Sequence, residues 1–293
     1  MSAKVAYVQA DGIKVFYRYA GPTDPGAPTV VLLHGFPASS FSYRNLIPLL
    51  AKQGYRVFAL DLPGFGFTEV PAERGYAYTF ANLATTFTAF VDALGLKRFA
   101  VYIFDYGAPT ALRFALQRPD AVAAIVTQSG NAYVEGLGHP FWTPIEKYWA
   151  SGAPADRKAL LAALELTVTK WQYTEGHPRP EAIPPETYHL DQALLERPGN
   201  KEIQLDIFYD YRTNLDLYPA FQEYFRTSGV PVLAAWGKGD QIFIFPGAVK
   251  YGEDVKKFEL HELDAGHFAL ETNEEKVATL IHNFFEKHGV FKA

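Results

Sequence analysis

The chain has 293 residues, 48% of them hydrophobic and 20% charged, with 27 basic against 32 acidic side chains for a net charge of −5. This is a globular composition with room for one large core or two smaller ones. No basic stripe is available to neutralise phosphates, which excludes nucleic acid as the main partner. The absence of cysteine removes disulfides, thiolate nucleophiles and cysteine-bound metals together.

The opening MSAKVAYVQADGIKV carries charges where an export leader needs an apolar run, and no stretch reaches about 18 uninterrupted apolar residues. A cytoplasmic protein without membrane contact is therefore expected. Lys4 to Ala10 and Ile13 to Tyr19 flank Asp11-Gly12, a two-residue hairpin turn, so the chain opens antiparallel. Strand-like runs then alternate with helical patterns, which predicts a mostly parallel sheet with helices on both faces. The strands are Thr29 to Leu33, Tyr55 to Leu60, Arg98 to Phe104 and Ala121 to Thr127. The helices between them are Phe41 to Gln53, Tyr78 to Leu94 ended by Gly95, and Gly107 to Arg118. Residues 131–225 break this alternation. They are rich in Tyr, Trp and Pro, carry helical fragments such as Arg157 to Leu166 and Lys201 to Thr213, and are too long for a loop in a compact domain. They are expected to form an inserted helical cap, with core in two parts, 1–130 and 226–293. Strands return at Val230 to Trp236 and Lys257 to Glu262, and a helix from Glu274 to Lys287 closes the chain.

Three residues stand at predicted strand ends in the order Asp105, Asp240, His267. In VYIFDYGAPTALRFA an aspartate directly follows a strand and precedes a helix, with Gly107 two residues on to allow a sharp turn. A carboxylate is already ionised at neutral pH and attacks without a base to deprotonate it. The positive end of the helix from Tyr106 favours the anion. Alone, Asp105 reads as a helix cap, Asp240 in VLAAWGKGDQIF as a turn residue and His267 in ELDAGHFALE as an exposed or packing histidine. Together they match the order of nucleophile, orienting acid and base, with Asp in place of Ser. No G-x-S-x-G occurs, and Ser129 lies in TQSGN at a strand end, so a serine nucleophile is set aside.

The segments VLLHGFPASSFSYRNLIPLL, ALDLPGFGFTE, VYIFDYGAP, AWGKGDQIF and LDAGHFALET, in this order, resemble the α/β-hydrolase family, in particular its aspartate-nucleophile branch of epoxide hydrolases and haloalkane dehalogenases. The resemblance implies the α/β-hydrolase fold, Asp105 as nucleophile, His267 as the base that activates water and Asp240 as its orienting acid. It also implies Phe36 and Tyr106 as backbone donors of an oxyanion hole, a frequently cis HGxP turn at Pro37, and no cofactor or metal. Ile103 departs from the pattern, since such elbows usually carry a small residue two before the nucleophile.

Substrate class turns on how the leaving group is stabilised. An alkoxide needs a proton, which the family's epoxide hydrolases take from cap tyrosines. A halide needs only N–H donors, commonly a Trp after the nucleophile and an Asn after the His-Gly pair, where this chain has Tyr106 and Phe36. The segment IFYDYRTN offers Tyr211 before an Arg as the acid, with Tyr148 and Tyr173 as candidates for a second. Trp142, Trp149 and Trp171 line the pocket or pack the cap. Arg113 lies two helical turns beyond Asp105, away from where haloacid enzymes place their carboxylate clamp. The expected partners are a small apolar electrophile and water. Epoxide opening is favoured, with carbon–halogen hydrolysis, another hydrolytic activity and a non-catalytic ligand-binding role as alternatives.

Overall fold

The computed structural model describes residues 2–292. Its sheet is built from β1 (Lys4–Ala10), β2 (Ile13–Ala20), β3 (Thr29–Leu33), β4 (Arg56–Leu60), β5 (Phe99–Phe104), β6 (Val122–Gln128), β7 (Val232–Gly237) and β8 (Phe258–Leu263). The spatial order is β1-β2-β4-β3-β5-β6-β7-β8; β2 pairs antiparallel with both β1 and β4, and all later pairings are parallel. β3 and β5 are neighbours although β4 lies between them in sequence, so the chain reverses direction across the sheet there. The crevice at the C-terminal ends of strands flanking such a reversal is where open α/β sheets hold their ligands.

The inner strands are buried on both faces, as expected of continuous apolar runs such as TVVLL and FAVYIF. Their side chains alternate between two cores, Val31, Leu33, Val101 and Ile103 on one side and Val30, Leu32, Ala100 and Tyr102 on the other. The helices of the first half are α1 (Leu46–Lys52), α2 (Phe80–Ala93) and α3 (Gly107–Gln117). Thr79 caps α2 by accepting from the Asn82 N–H, and Gly95, in the left-handed region at φ 65°, follows its end. The helix expected from Phe41 to Gln53 is instead a 3₁₀ turn at Ser40–Tyr43 followed by α1, whose first turn holds Pro48. Proline lacks the N–H that would continue the hydrogen-bond ladder back into the preceding turn.

Between β6 and β7 the chain runs through α4 (Thr143–Ser151), α5 (Pro154–Ala159), α6 (Leu166–Thr174), α7 (Pro185–Leu195), α8 (Asn200–Asp210), α9 (Arg212–Leu215) and α10 (Tyr218–Ser228). The single helix expected from Arg157 to Leu166 is broken: a 3₁₀ stretch covers Leu160–Leu164 and Glu165 is extended, which lets both Leu160 and Leu164 bury. No Gly or Pro marks that break. This helical segment bonds to the loops at the strands' C-terminal ends. Arg197 and Gln204 donate to the carbonyls of Gly66 and Gly64 after β4, and Asp210 accepts from the Phe80 N–H at the start of α2. Two more helices, α11 (Phe245–Asp254) and α12 (Leu270–Lys287), complete the order. α12 kinks at Asn273, so its expected start at Glu274 coincides with the second, straight part.

Candidate active site

The turn after β5 holds Asp105 in the left-handed region, at φ 49°, a strained conformation for a non-glycine residue that aims its side chain out of the strand-to-helix corner. Gly107 opens α3 directly behind it, where a Cβ would lie 2.3 Å from the Leu33 carbonyl oxygen. Opposite, the loop after β3 brings Gly35 so close that a Cβ there would lie 2.0 Å from Asp105 Oδ1. This approach lets the Phe36 N–H donate to Oδ1 at 2.6 Å. His34 supports the same loop. Its Nε2 accepts from the Leu62 N–H at 2.9 Å, so Nδ1 carries the proton and donates to the Gly35 carbonyl at 3.0 Å. Burial lowers the pKa of His34, consistent with this neutral form. Phe36–Pro37 is a cis peptide bond, as is His139–Pro140.

Burial pushes the Asp105 carboxyl up to about 6, against the lowering pull of His267 and of the Phe36 and Tyr106 amides. Ile103, the departure noted at this elbow, is accommodated by a missing side chain on the next strand's exit. A Cβ at Gly130 would lie 3.0 Å from Ile103 Cγ1 and 2.9 Å from its carbonyl oxygen.

His267 follows β8 and Asp240 follows β7, so parallel neighbours deliver both to one edge. His267 Nδ1 donates to Asp240 Oδ2 at 2.9 Å. Asp240 is saturated as an acceptor: Oδ2 also takes the Ser129 hydroxyl at 2.6 Å, and Oδ1 takes the N–H groups of Ile242 at 2.8 Å and Phe243 at 3.0 Å. Burial lowers the affinity of His267 for its proton, but the Asp240 charge and hydrogen bond, with the Asp105 charge, outweigh this and raise its pKa. Its Nε2 is buried and bonds to no other protein group. The backbone of His267 is held as well, because Gln128 donates to its carbonyl at 3.0 Å and is itself bonded by the Tyr102 hydroxyl. Ser129, set aside as a nucleophile, is thus bonded to Asp240.

A family model described as alpha/beta hydrolase fold matches residues 28–274. The chain belongs to that family. An uncharacterized hydrolase of Saccharomyces cerevisiae, YNR064C, is 47% identical over 95% of both chains. Epoxide hydrolase 2 of Siraitia grosvenorii is 28% identical over 96% of this chain and 97% of its own. Among solved structures, the haloalkane dehalogenase DatA of Agrobacterium tumefaciens superposes with a TM-score of 0.79 at 22% identity, over 98% of this chain and 97% of that one. The chain thus takes its place among hydrolases of this fold, with both epoxide hydrolases and dehalogenases as relatives.

In this α/β-hydrolase the helical segment covers Asp105 with aromatic rings. Tyr211, at the joint of α8 and α9, packs 5.8 Å from Tyr106, 5.4 Å from Phe80 and 4.7 Å from Trp142. Its hydroxyl lies 3.2 Å from that of Tyr218 at the start of α10, and the negative charge of Asp105 acts on both phenols. The expected companions of Tyr211 are elsewhere. The Tyr148 hydroxyl accepts from the Arg157 guanidinium, and its ring lies tilted against Tyr209 at 4.7 Å. Tyr173 donates to Asp191 and stacks on Phe268 at 3.6 Å, in the core on the other face of the sheet. Neither is brought to Asp105; Tyr218, which the sequence reading did not single out, is. The indole N–H of Trp142 goes to the Ile242 carbonyl at 2.8 Å and that of Trp149 to the Phe208 carbonyl at 2.7 Å. Arg113 donates to Thr213 and Asn214, both at 2.9 Å, anchoring the helix that follows Tyr211. Among the described residues no three His, Asp or Glu side chains are grouped to hold a metal ion, and no helix is long and apolar enough to cross a membrane.

Proposed function

We propose that this hydrolase opens small apolar epoxides to diols through an ester on Asp105, with residues 131–225 as the cap over the site. The reading is carried by the hydrogen-bond donors near Asp105. The two indole N–H groups beside the site are committed to backbone carbonyls, whereas the phenols of Tyr211 and Tyr218 are paired with each other. A departing halide would need uncommitted N–H donors. A departing alkoxide needs a proton, which a phenol supplies. The carboxylate clamp of a haloacid enzyme also lacks its cation, since Arg113 is spent on Thr213 and Asn214.

Asp105 Oδ1 is held by the Phe36 amide, leaving Oδ2 to attack a ring carbon. As the new C–O bond forms, the ring C–O bond breaks, and the leaving oxygen takes the Tyr211 proton. His267 Nε2 then removes a proton from water, and the hydroxide adds to the carboxyl carbon of the ester. The oxyanion develops on Oδ1 and is held by the Phe36 and Tyr106 amides. Collapse passes the remaining proton of the added water to the departing oxygen, which releases the diol and restores the carboxylate with one oxygen from water. Asp240 stabilises the imidazolium throughout.

A single turnover of styrene oxide in heavy-oxygen water tests this. The label is expected in the side chain of residue 105, and Tyr211→Phe is expected to slow ester formation by at least 100-fold. Label appearing only in the product, or haloalkane turnover indifferent to Tyr211, would overturn the reading.

A further inference from the structure

We propose that Asn131 and Tyr218 are positioning residues that act in series on Tyr211, holding its hydroxyl and donating to its phenolate as the substrate oxygen takes the proton. This rests on the reading of Tyr211 as the acid.

Asn131 is buried just beyond the end of β6. Its Nδ2 lies 2.7 Å from the Tyr133 carbonyl oxygen, and since a carbonyl only accepts, the amide orientation is determined by chemistry. The same Nδ2 donates to Tyr218 Oη at 3.2 Å. The amide oxygen fits because residues 136 and 247 lack side chains: a Cβ at Gly136 would lie 2.1 Å from it, and one at Gly247 2.7 Å. The amide is therefore boxed with its donor face toward Tyr218. A lone pair of Tyr218 Oη is thereby occupied, and its own proton is available to Tyr211 Oη, 3.2 Å away.

A buried phenol needs this help. Desolvation drives the pKa of Tyr211 well above that of a free phenol, since its phenolate is poorly solvated there. Burial raises Tyr218 as well, to about 12, with the Asn131 donor offsetting part of that rise. Without a donor, Tyr211 would give up its proton only at great cost. With Tyr218 beside it, the phenolate left by epoxide opening receives a hydrogen bond the moment it forms. No proton leaves Tyr218. The phenolate recovers its proton through solvent from the one that His267 takes from water, so the cycle balances.

The experiment replaces Tyr211 by a ring-fluorinated tyrosine, acidic enough to titrate while the protein is folded, and follows its ¹⁹F shift against pH. Tyr218→Phe, which keeps the packed ring, and Asn131→Asp, which turns the donor into an acceptor, are each expected to lower the ionisation constant of the fluorophenol at least 10-fold. In the unlabelled enzyme the same substitutions are expected to slow ester formation from styrene oxide about 10-fold or more with little change in KM. Unmoved ionisation in both variants overturns the relay, as does Tyr218→Phe abolishing epoxide opening while Tyr211→Phe does not. If the parent enzyme leaves styrene oxide untouched, the epoxide reading fails, yet the ¹⁹F titration still decides the relay.

Discussion

Replacing Asp105 by asparagine isolates what a buried carboxylate costs the fold. The folded carboxyl titrates at about 6 against an ordinary value of 3.8, with burial as the leading cause. A difference of about 2 pKa units corresponds to roughly 3 kcal/mol. Because the folded pKa is raised, the folded state binds the proton more tightly than the unfolded chain. Stability associated with this group is complete below the unfolded pKa, declines as pH rises toward 6, and is fully lost above it. Asparagine keeps an acceptor for the Phe36 N–H, carries no charge and tolerates the left-handed backbone at φ 49°. Asp105→Asn is thus expected to melt with the native enzyme at pH 3.5 and several degrees above it at pH 8, on a scale of about 2–4 °C per kcal/mol, while epoxide turnover falls by at least 1,000-fold. The shift to about 6 already includes the attraction to His267 that the variant loses. Melting curves across pH, with initial rates, check both arms. A variant no more stable than the native protein at pH 8 would refute the argument that burial of the charged carboxylate strains the fold.

His267→Gln is expected to form the ester and stop, so intact-protein mass spectrometry should show the added mass of one epoxide; substrate consumed without an adduct would remove His267 from the role of base. Asp240→Asn places an amide among four hydrogen-bond donors that need an acceptor, and is expected to cost about 1–3 kcal/mol of stability and to slow ester hydrolysis more than ester formation, which rapid-quench kinetics resolves. The rate of ester formation is expected to fall as pH drops through about 6, where Asp105 takes its proton; stopped-flow measurement of that step finding no acid limb would contradict an ionised nucleophile.

The sheet was legible because its determinants are local. Runs such as TVVLL and FAVYIF are apolar throughout and bounded by turn residues, so a buried strand announces itself within a few positions, and β1 and β3 fall where the pattern places them. The helical segment was less legible. Arg157 to Leu166 reads as one helix by propensity, yet breaks at Leu160–Leu164 because burial of Leu160 and Leu164, not local preference, decides its path. Helix α11 follows a strand-end loop and was missed, although Pro246 in its first turn is a usable start signal.

The sequence by itself placed Asp105 directly after an apolar strand, and Asp240 and His267 a few residues beyond the last two predicted strands. Only the tertiary structure decided which donors meet them. Ser129 reaches Asp240 across 111 positions and Asn131 reaches Tyr218 across 87. Tyr148, Tyr173 and Tyr218 are equivalent as letters but differ in partner: an arginine, an aspartate and a second phenol. A residue's chemistry is written in its type, but the availability of its hydrogen-bonding groups depends on what packing brings within about 3 Å, and no local pattern encodes that.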